Sequence, residues 1–461
     1  MSLESISTGI NRRRFLATSA LAGAGLILSS KSLEAQNANV RSTAKKSGDT
    51  INVALVGCGA QGEVLVDSLI AIVKEARRPI GVNVIAVCDI WDYRKNYLAN
   101  KFKGAGITAN GYNDLEDMIA KEKNLDAVFV ATPDFWHAPN TITCLKAGLH
   151  VYCEKMMAHT ADAARSMVRA MKETGKLLQI GHQRRSNPYY IWSYQKIIKG
   201  NKLLGRITNA NAQWNRGVQP DLKMPPRNPI SAETLKKYGY DNAHEFRNWR
   251  WFKKYSGGPI SDLGAHQIDI FNWVFGRPTS VIAAGGVDYY KSHEWYDNVM
   301  CIFAYNTPEG VARAYYQVLT TTSSGGGYFE NFMGDNASLK LSENPNLIKL
   351  YKEATSAADW DPYKAENIIR LDTTPPPAKP STAQMDSRDS EPPEAYDIPV
   401  SLGNKKIHQP HVENFLRAIK GEAKLNCDGA EAFESEAPIY RVNEAVAAEK
   451  MLHYTEADFA V

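Results

Sequence analysis

The feature that most constrains this 461-residue chain is a glycine-rich turn set between a short apolar run and an amphipathic pattern. Ile51-Asn52-Val53-Ala54-Leu55-Val56 leads directly into Gly57-Cys58-Gly59-Ala60-Gln61-Gly62, and Val64, Leu65, Leu69 and Ile72 follow at helical spacing. The spacing Gly-x-Gly-x-x-Gly specifies little by itself. Between a strand and a helix the three glycines do different things. Gly57 permits the tight turn, Gly59 lets a pyrophosphate approach the backbone, and Gly62 lets helix and strand pack closely. The free amides at the helix start, around Ala60 and Gln61, then bind phosphate. A second strand is expected over Val82 to Cys88 and ends in Asp89. A carboxylate there accepts from the adenosine ribose hydroxyls and repels a 2′-phosphate, which favours NAD over NADP, while the nearby Arg94 pulls the other way.

The pattern repeats downstream. Asp126 to Ala131 reads as a strand running into Thr132-Pro133-Asp134-Phe135-Trp136-His137, and Pro139 to Ala147 reads as a helix. The strand His150 to Cys153 ends in Glu154-Lys155, and a helix over Ala161 to Thr174 precedes a strand over Leu177 to Gly181. Strands alternating with helices predict a Rossmann-type, doubly wound parallel sheet over 51–181, with ligands at the carboxyl ends of its strands. Gly57, Asp89, Thr132 and Lys155 all fall at such ends.

Ala-Thr-Pro followed by His137, Glu154-Lys155 after a short strand, and a later Gly-x-His helix resemble the Gfo/Idh/MocA oxidoreductases, nicotinamide enzymes that act mainly on sugars and cyclitols. The resemblance covers about 51–320 and resumes near His408. It implies cofactor contacts from Thr132, Pro133, His137, Glu154 and Lys155 beside the glycine loop and Asp89. One position departs: the family writes Glu-Lys-Pro where this chain has Glu154-Lys155-Met156.

Beyond Gly181 the pattern changes. A helix is expected over Tyr190 to Lys199, then alternating runs at Ile207–Trp214, Thr279–Gly285, Asn298–Tyr305 and Val311–Val318. These predict an open, mostly antiparallel sheet with one covered face, so that 182–461 forms an α/β substrate domain, as the resemblance also implies. Between those runs, Asp262, His266, Asp269 and Trp273 share one helical face. A carboxylate and an imidazole one turn apart can address a single hydroxyl, and the spacing matches the family's Asp-x-x-x-His signature, whose members use a Lys, an Asp and a His. Lys155, Asp262 and His266 are therefore the expected catalytic set. His266 is the first choice of proton acceptor, with Asp262 orienting and Lys155 placing positive charge beside a developing alkoxide; Lys155 as the acceptor is the alternative. Gln183, Arg184, Trp214, Arg250, Tyr296 and Asn298 are expected at the substrate, because polar groups beside flat aromatics suit a carbohydrate. The proline-rich stretch 355–401 reads as a surface excursion, and helices are expected over His408 to Lys420 and Pro438 to Met451.

Composition narrows the partners. Seven Lys/Arg and three Asp/Glu fall in residues 1–50, so the remainder carries 47 of each sign and offers no footprint for nucleic acid. Six cysteines without a CxxC pair make neither a zinc site nor a disulfide framework, and no other metal set stands out. Residues 1–50 read as an export signal and lead-in: Arg12-Arg13-Arg14-Phe15-Leu16 precedes an uncharged stretch too short for a stable membrane anchor, and resembles the twin-arginine signal that exports folded proteins, with Asn11 and Ala17 departing from its usual flanks. The expectation is a periplasmic or otherwise exported homo-oligomer that has met the twin-arginine machinery carrying a captured nicotinamide. Three functions follow: a carbohydrate oxidoreductase, a redox-neutral glycosidase similar to glycoside hydrolase family 109, or a binding module without turnover.

Overall fold

The computed structural model describes residues 49–77, 79–323, 325, 327–374 and 393–461. The expected export signal and most of its lead-in, through residue 48, and the prolines 375–377 and 392 lie outside the described residues. The first domain is a six-stranded parallel sheet in the order β3-β2-β1-β4-β5-β6, from β1 (Ile51–Val56), β2 (Val82–Cys88), β3 (Asn110–Tyr112), β4 (Ala127–Val130), β5 (His150–Cys153) and β6 (Leu178–Ile180). The helices α1 (Ala60–Val73), α2 (Asp92–Gly104), α3 (Leu115–Lys121), α4 (Asp134–Lys146) and α5 (Ala161–Thr174) are interleaved with the strands. Both faces of the sheet are buried, which is why its strands read as unbroken apolar runs. Val53, Leu55 and Phe129 pack with Leu65 and Phe102 on one face, while Ala54, Val56 and Val130 pack with Leu145 and Met167 on the other.

The second domain carries a ten-stranded sheet in the order β14-β15-β13-β12-β11-β7-β10-β9-β8-β16. Its centre is β7 (Ile207–Asn215), β8 (Pro278–Gly286), β9 (Asn298–Thr307), β10 (Gly310–Leu319) and β11 (Tyr328–Gly334). Its other strands are β12 (Ala337–Leu341), β13 (Lys349–Lys352), β14 (Arg370–Leu371), β15 (Glu394–Asp397) and β16 (Leu452–His453). Every pairing is antiparallel except β7 with β10. Inward residues such as Phe303, Tyr305, Ala314 and Tyr316 are fully buried, against the helix α6 (Ala265–Phe275). Outward neighbours Met300, Ile302 and Val311 stay exposed.

Several boundaries move. The helices expected to open at Pro139 and Pro438 start earlier, at Asp134 and at Gly429 in α8 (Gly429–Ala448), and carry those prolines inside. Asp428 caps α8 by accepting from the amides of Ala430 and Glu431, a start signal stronger than the proline. The stretch 355–401 is more than a surface excursion. It supplies β14 and β15 at the sheet edge and buries Trp360, Ile369 and Tyr396 in the second core. The helix α7 (Gln409–Ile419) returns to the first domain, where Val412, Phe415 and Leu416 complete the core under β1 and β4.

Candidate active site

A cleft of about 1160 Å³ runs along the carboxyl ends of the first sheet and under the second domain. Its nucleotide half is made by the glycine turn. Gly57 has φ +92°, and a Cβ there would come within 2.5 Å of the Ala131 carbonyl, so the β1 and β4 loops meet only through glycine. A Cβ on Gly62 would strike the Gly57 carbonyl at 2.1 Å, whereas Gly59 faces open space. No side chain caps α1, which leaves first-turn amides at Ala60 and Gln61 to face the cleft. Gln61 Nε2 donates to Glu154 at 3.0 Å and ties this loop to the end of β5. Asp89 accepts the amides of Cys58 at 2.7 Å and Trp91 at 2.8 Å, so this carboxylate at the end of β2 is already oriented by backbone. Arg94 is engaged elsewhere: it donates to the Cys58 carbonyl at 2.7 Å and pairs with Glu63 at 3.1 Å, which leaves it holding the loop.

An open glycine face, free helix amides and an oriented acidic residue fit a dinucleotide. A further group, unflagged by sequence, fits it too. Arg247 lies over the Trp91 ring, 5.0 Å from its centroid, and its buried Nε has no partner. Arg247 belongs to a segment of the second domain, 217–255, that crosses onto the first. Trp91 donates to the Asn228 carbonyl at 2.9 Å and Trp136 to that of Tyr238 at 3.1 Å, while Tyr238 donates to Asn113 at 2.9 Å. Phe135, Tyr240 and Tyr255 close the seam with rings 5.1–5.3 Å apart.

The other half of the cleft gathers the expected chemical groups. Thr132 and Pro133 line it, and His137 bridges the carbonyls of Thr132 at 2.6 Å and Met156 at 2.7 Å, which fixes the turn that carries Lys155. Burial pushes the His137 pKa down to about 4, against those two carbonyls. The Lys155–Met156 peptide is cis. Lys155 Nζ donates to the Asp262 carbonyl and lies 3.6 Å from its carboxylate. Asp262 sits in a π-turn, Ile260–Gly264, at the head of α6, and His266 follows one turn later; both line the cleft. Burial opposes ionisation of Asp262, but Arg250, Lys155 and Arg216 outweigh it and hold the carboxyl well below the usual carboxylate range. Burial, reinforced by the charges of Lys155 and Arg184, pushes His266 well below an ordinary imidazole, so it is neutral at physiological pH. Its Nδ1 is buried without a partner, and no hydrogen bond joins it to Asp262 among the described residues.

Other expectations separate. Asp269 and Trp273 leave the catalytic face. Asp269 pairs with Arg185 at 2.7 Å and accepts from Ser435 at 2.6 Å, while Trp273 stacks on Tyr194 at 4.3 Å. Gln183, Trp214 and Arg250 line the cleft. Arg184 does not: it lies fully buried behind Trp214, paired with Glu330. Tyr296 and Asn298 fall outside the lining as well, since Tyr296 packs against the second core and Asn298 donates to Asp288 at 2.6 Å. Asp134, unassigned from sequence, lines the cleft and accepts from Ser256 at 3.2 Å; burial and the charge of Asp262 push it up to about 7. Glu343 also lines it and accepts from Gln183 at 2.9 Å.

A 3-2-1-4-5-6 parallel sheet, its open glycine turn and an α/β partner domain closing over the strand ends define a two-domain dinucleotide-dependent protein. Residues 51–182 match the family model described as oxidoreductase family, NAD-binding Rossmann fold, and residues 195–338 match the GFO/IDH/MocA C-terminal domain. The chain belongs to the Gfo/Idh/MocA family. It is 35% identical over 153 residues to an inositol 2-dehydrogenase of Rubrobacter xylanophilus, covering 33% of this chain and 41% of that one. It is 27% identical over 228 residues to a D-glucoside 3-dehydrogenase of Escherichia coli, covering 50% of this chain and 55% of that one. These matches span less than two thirds of either relative. A levoglucosan dehydrogenase solved with NADH shares the fold, with TM-score 0.65 and 16% identity, covering 88% of this chain and all of that one (100%).

Proposed function

We propose that the protein is an NAD-dependent oxidoreductase that moves a hydride between a CH–OH carbon of a sugar or cyclitol and a tightly held nicotinamide. The observation that carries this reading is the meeting of Lys155 with Asp262 at 3.6 Å across the two domains, with His266 one turn further on. Bound in the cleft, the nicotinamide supplies the hydride acceptor. His266, already neutral, takes the hydroxyl proton as the hydride leaves, and Lys155 is the second candidate for that proton. The Lys155 ammonium faces the developing alkoxide, where fixed positive charge lowers the barrier most. Asp262 holds Lys155 and Arg250 in place. Relatives named for inositol and glucoside oxidation support a ring hydroxyl as the reacting group.

Retention of the cofactor is supported by segment 217–255 over the adenosine end, and NAD over NADP by the engagement of Arg94. The Arg12-Arg13 pattern supports export to the periplasm through the twin-arginine route. Self-association is supported by the uncovered sheet face, where Ile282, Met300, Ile302 and Val311 are each 41–43% exposed. The test is to purify the full chain, measure its nicotinamide content, and add sugars and cyclitols while following the absorbance of the reduced cofactor. Sugar-dependent reduction is the expected result. Release of an aglycone with no net reduction transfers the assignment to a glycosidase, and no response across the panel leaves a binding protein.

A further inference from the structure

The charged groups lining the cleft are almost all matched. Arg94 pairs with Glu63, and Lys155 and Arg250 share Asp262. Among the described residues, two of the cleft's guanidiniums have no carboxylate within ion-pair distance, one at each end. Arg247 is placed for the dinucleotide. Arg216 lies at the sugar end, and among the described residues no carboxylate is within ion-pair distance of it.

Arg216 is built in rather than dangling. It follows the last residue of β7, its amide donates to the Leu319 carbonyl at 2.8 Å, and its guanidinium lies 5.2 Å from the centre of the Trp214 ring. Trp214 is itself held by Tyr328, stacked at 4.5 Å, and its ring is 5.4 Å from that of His266. Arg216 is half-buried, and its guanidinium lies against the same indole ring that His266 neighbours. Asp262 feels the charge of Arg216 but forms its ion pairs with Lys155 and Arg250, and lies beyond ion-pair distance of Arg216. A cation drawn partly out of water without a partner is costly, and a planar fork of donors selects an anion of matching shape.

We propose that Arg216 is a specificity residue that binds an anionic group on the sugar, a carboxylate best of all, so that the substrate class is a uronate or similarly acidic sugar. The inference rests on the sugar-oxidising reading above and adds the charge of the substrate to it. The test uses the full chain with its retained nicotinamide and matched pairs of methyl hexosides and methyl hexuronides, with hexose 6-phosphates and 6-sulfates beside them. Tryptophan fluorescence reads binding, and reduced-cofactor absorbance reads turnover. The acidic sugar of the best pair is expected to bind about tenfold or more tighter than its neutral parent. Arg216→Gln brings that ratio toward one, while Arg216→Lys restores part of it for the phosphate but less for the carboxylate. Unchanged nicotinamide content shows that both variants fold. Preference for the ester anions over the uronate keeps the anionic subsite and overturns the carboxylate. Equal binding of neutral and acidic sugars with normal reduction overturns the inference and leaves the oxidoreductase reading standing. Tight, Arg216-dependent uronate binding with no reduction by any sugar supports the subsite and overturns that reading. Absence of binding by every sugar overturns both.

Discussion

At the Trp91 end of the cleft the second domain reaches across to the first through tryptophan donors, tyrosine rings and a stacked guanidinium; at the Lys155 end the domains meet through charge. The first kind of contact is directional and largely aromatic. The second is a cluster of charged groups, Lys155, Asp262, Arg250 and Asp134, in which the two cations favour ionisation of both carboxyls and Asp262 opposes that of Asp134. One groove thus combines a grip with a charged cluster, and on the proposed reading the first holds a nucleotide while the second exchanges sugars.

Breaking the reactive end without the grip has the largest effect. His266→Ala is expected to cut turnover by about 10²–10⁴-fold with nicotinamide content unchanged, measured as single-turnover reduction of the purified protein. The converse break is Gly57→Ala. A side chain at φ +92° and 2.5 Å from the Ala131 carbonyl costs about 1–3 kcal/mol in strain alone, so the purified variant is expected to lose most of its nucleotide, read from its absorbance after gel filtration. Trp91→Phe keeps an aromatic ring but removes the donor to Asn228, a loss of about 1 kcal/mol that should raise cofactor release several-fold in dilution experiments. The smallest effect sharpens the electrostatic side. Asp134 is raised above its unfolded value to about 7, so the folded protein binds its proton more tightly than the unfolded chain. Its contribution to stability is full below about pH 4 and is lost as pH rises through 7. Asp134→Asn should flatten the fall in Tm across that window by a few degrees, measured by thermal melts from pH 4 to 8.

The nucleotide half is largely legible in the sequence. Buried parallel strands must be apolar throughout, and a glycine loop between strand and helix has few physical uses, so β1, β2 and β5 fall where the apolar runs lie. Lys155, Asp262 and His266 are legible as members of two local patterns, and the fold brings those patterns together. What stays hidden depends on contacts across long stretches of chain. The edge strand β3 has only three residues and no buried ones, so it leaves no pattern. Arg184, Tyr296 and Asn298 resemble substrate contacts because polar and aromatic residues cluster there, yet a buried partner such as Glu330 serves Arg184 as well as a sugar would. Asp134 is invisible to motif reasoning because Thr132-Pro133 speaks for the backbone, and the neutral form of the Asp134 side chain depends on burial beside Asp262.

The C-terminal stretch that begins with α7 does not belong to one half of the molecule. Phe415 of α7 sits edge-on to Phe129 at 5.5 Å in the nucleotide sheet's core, while α8 sends Phe433 into that same domain and Ile439 and Val442 into the other. Cutting the chain after residue 181 therefore does not yield a module. It strips the hydrophobic underside from the piece that remains, because α7 and α8, which follow all but the last short strand, are the part that closes both halves.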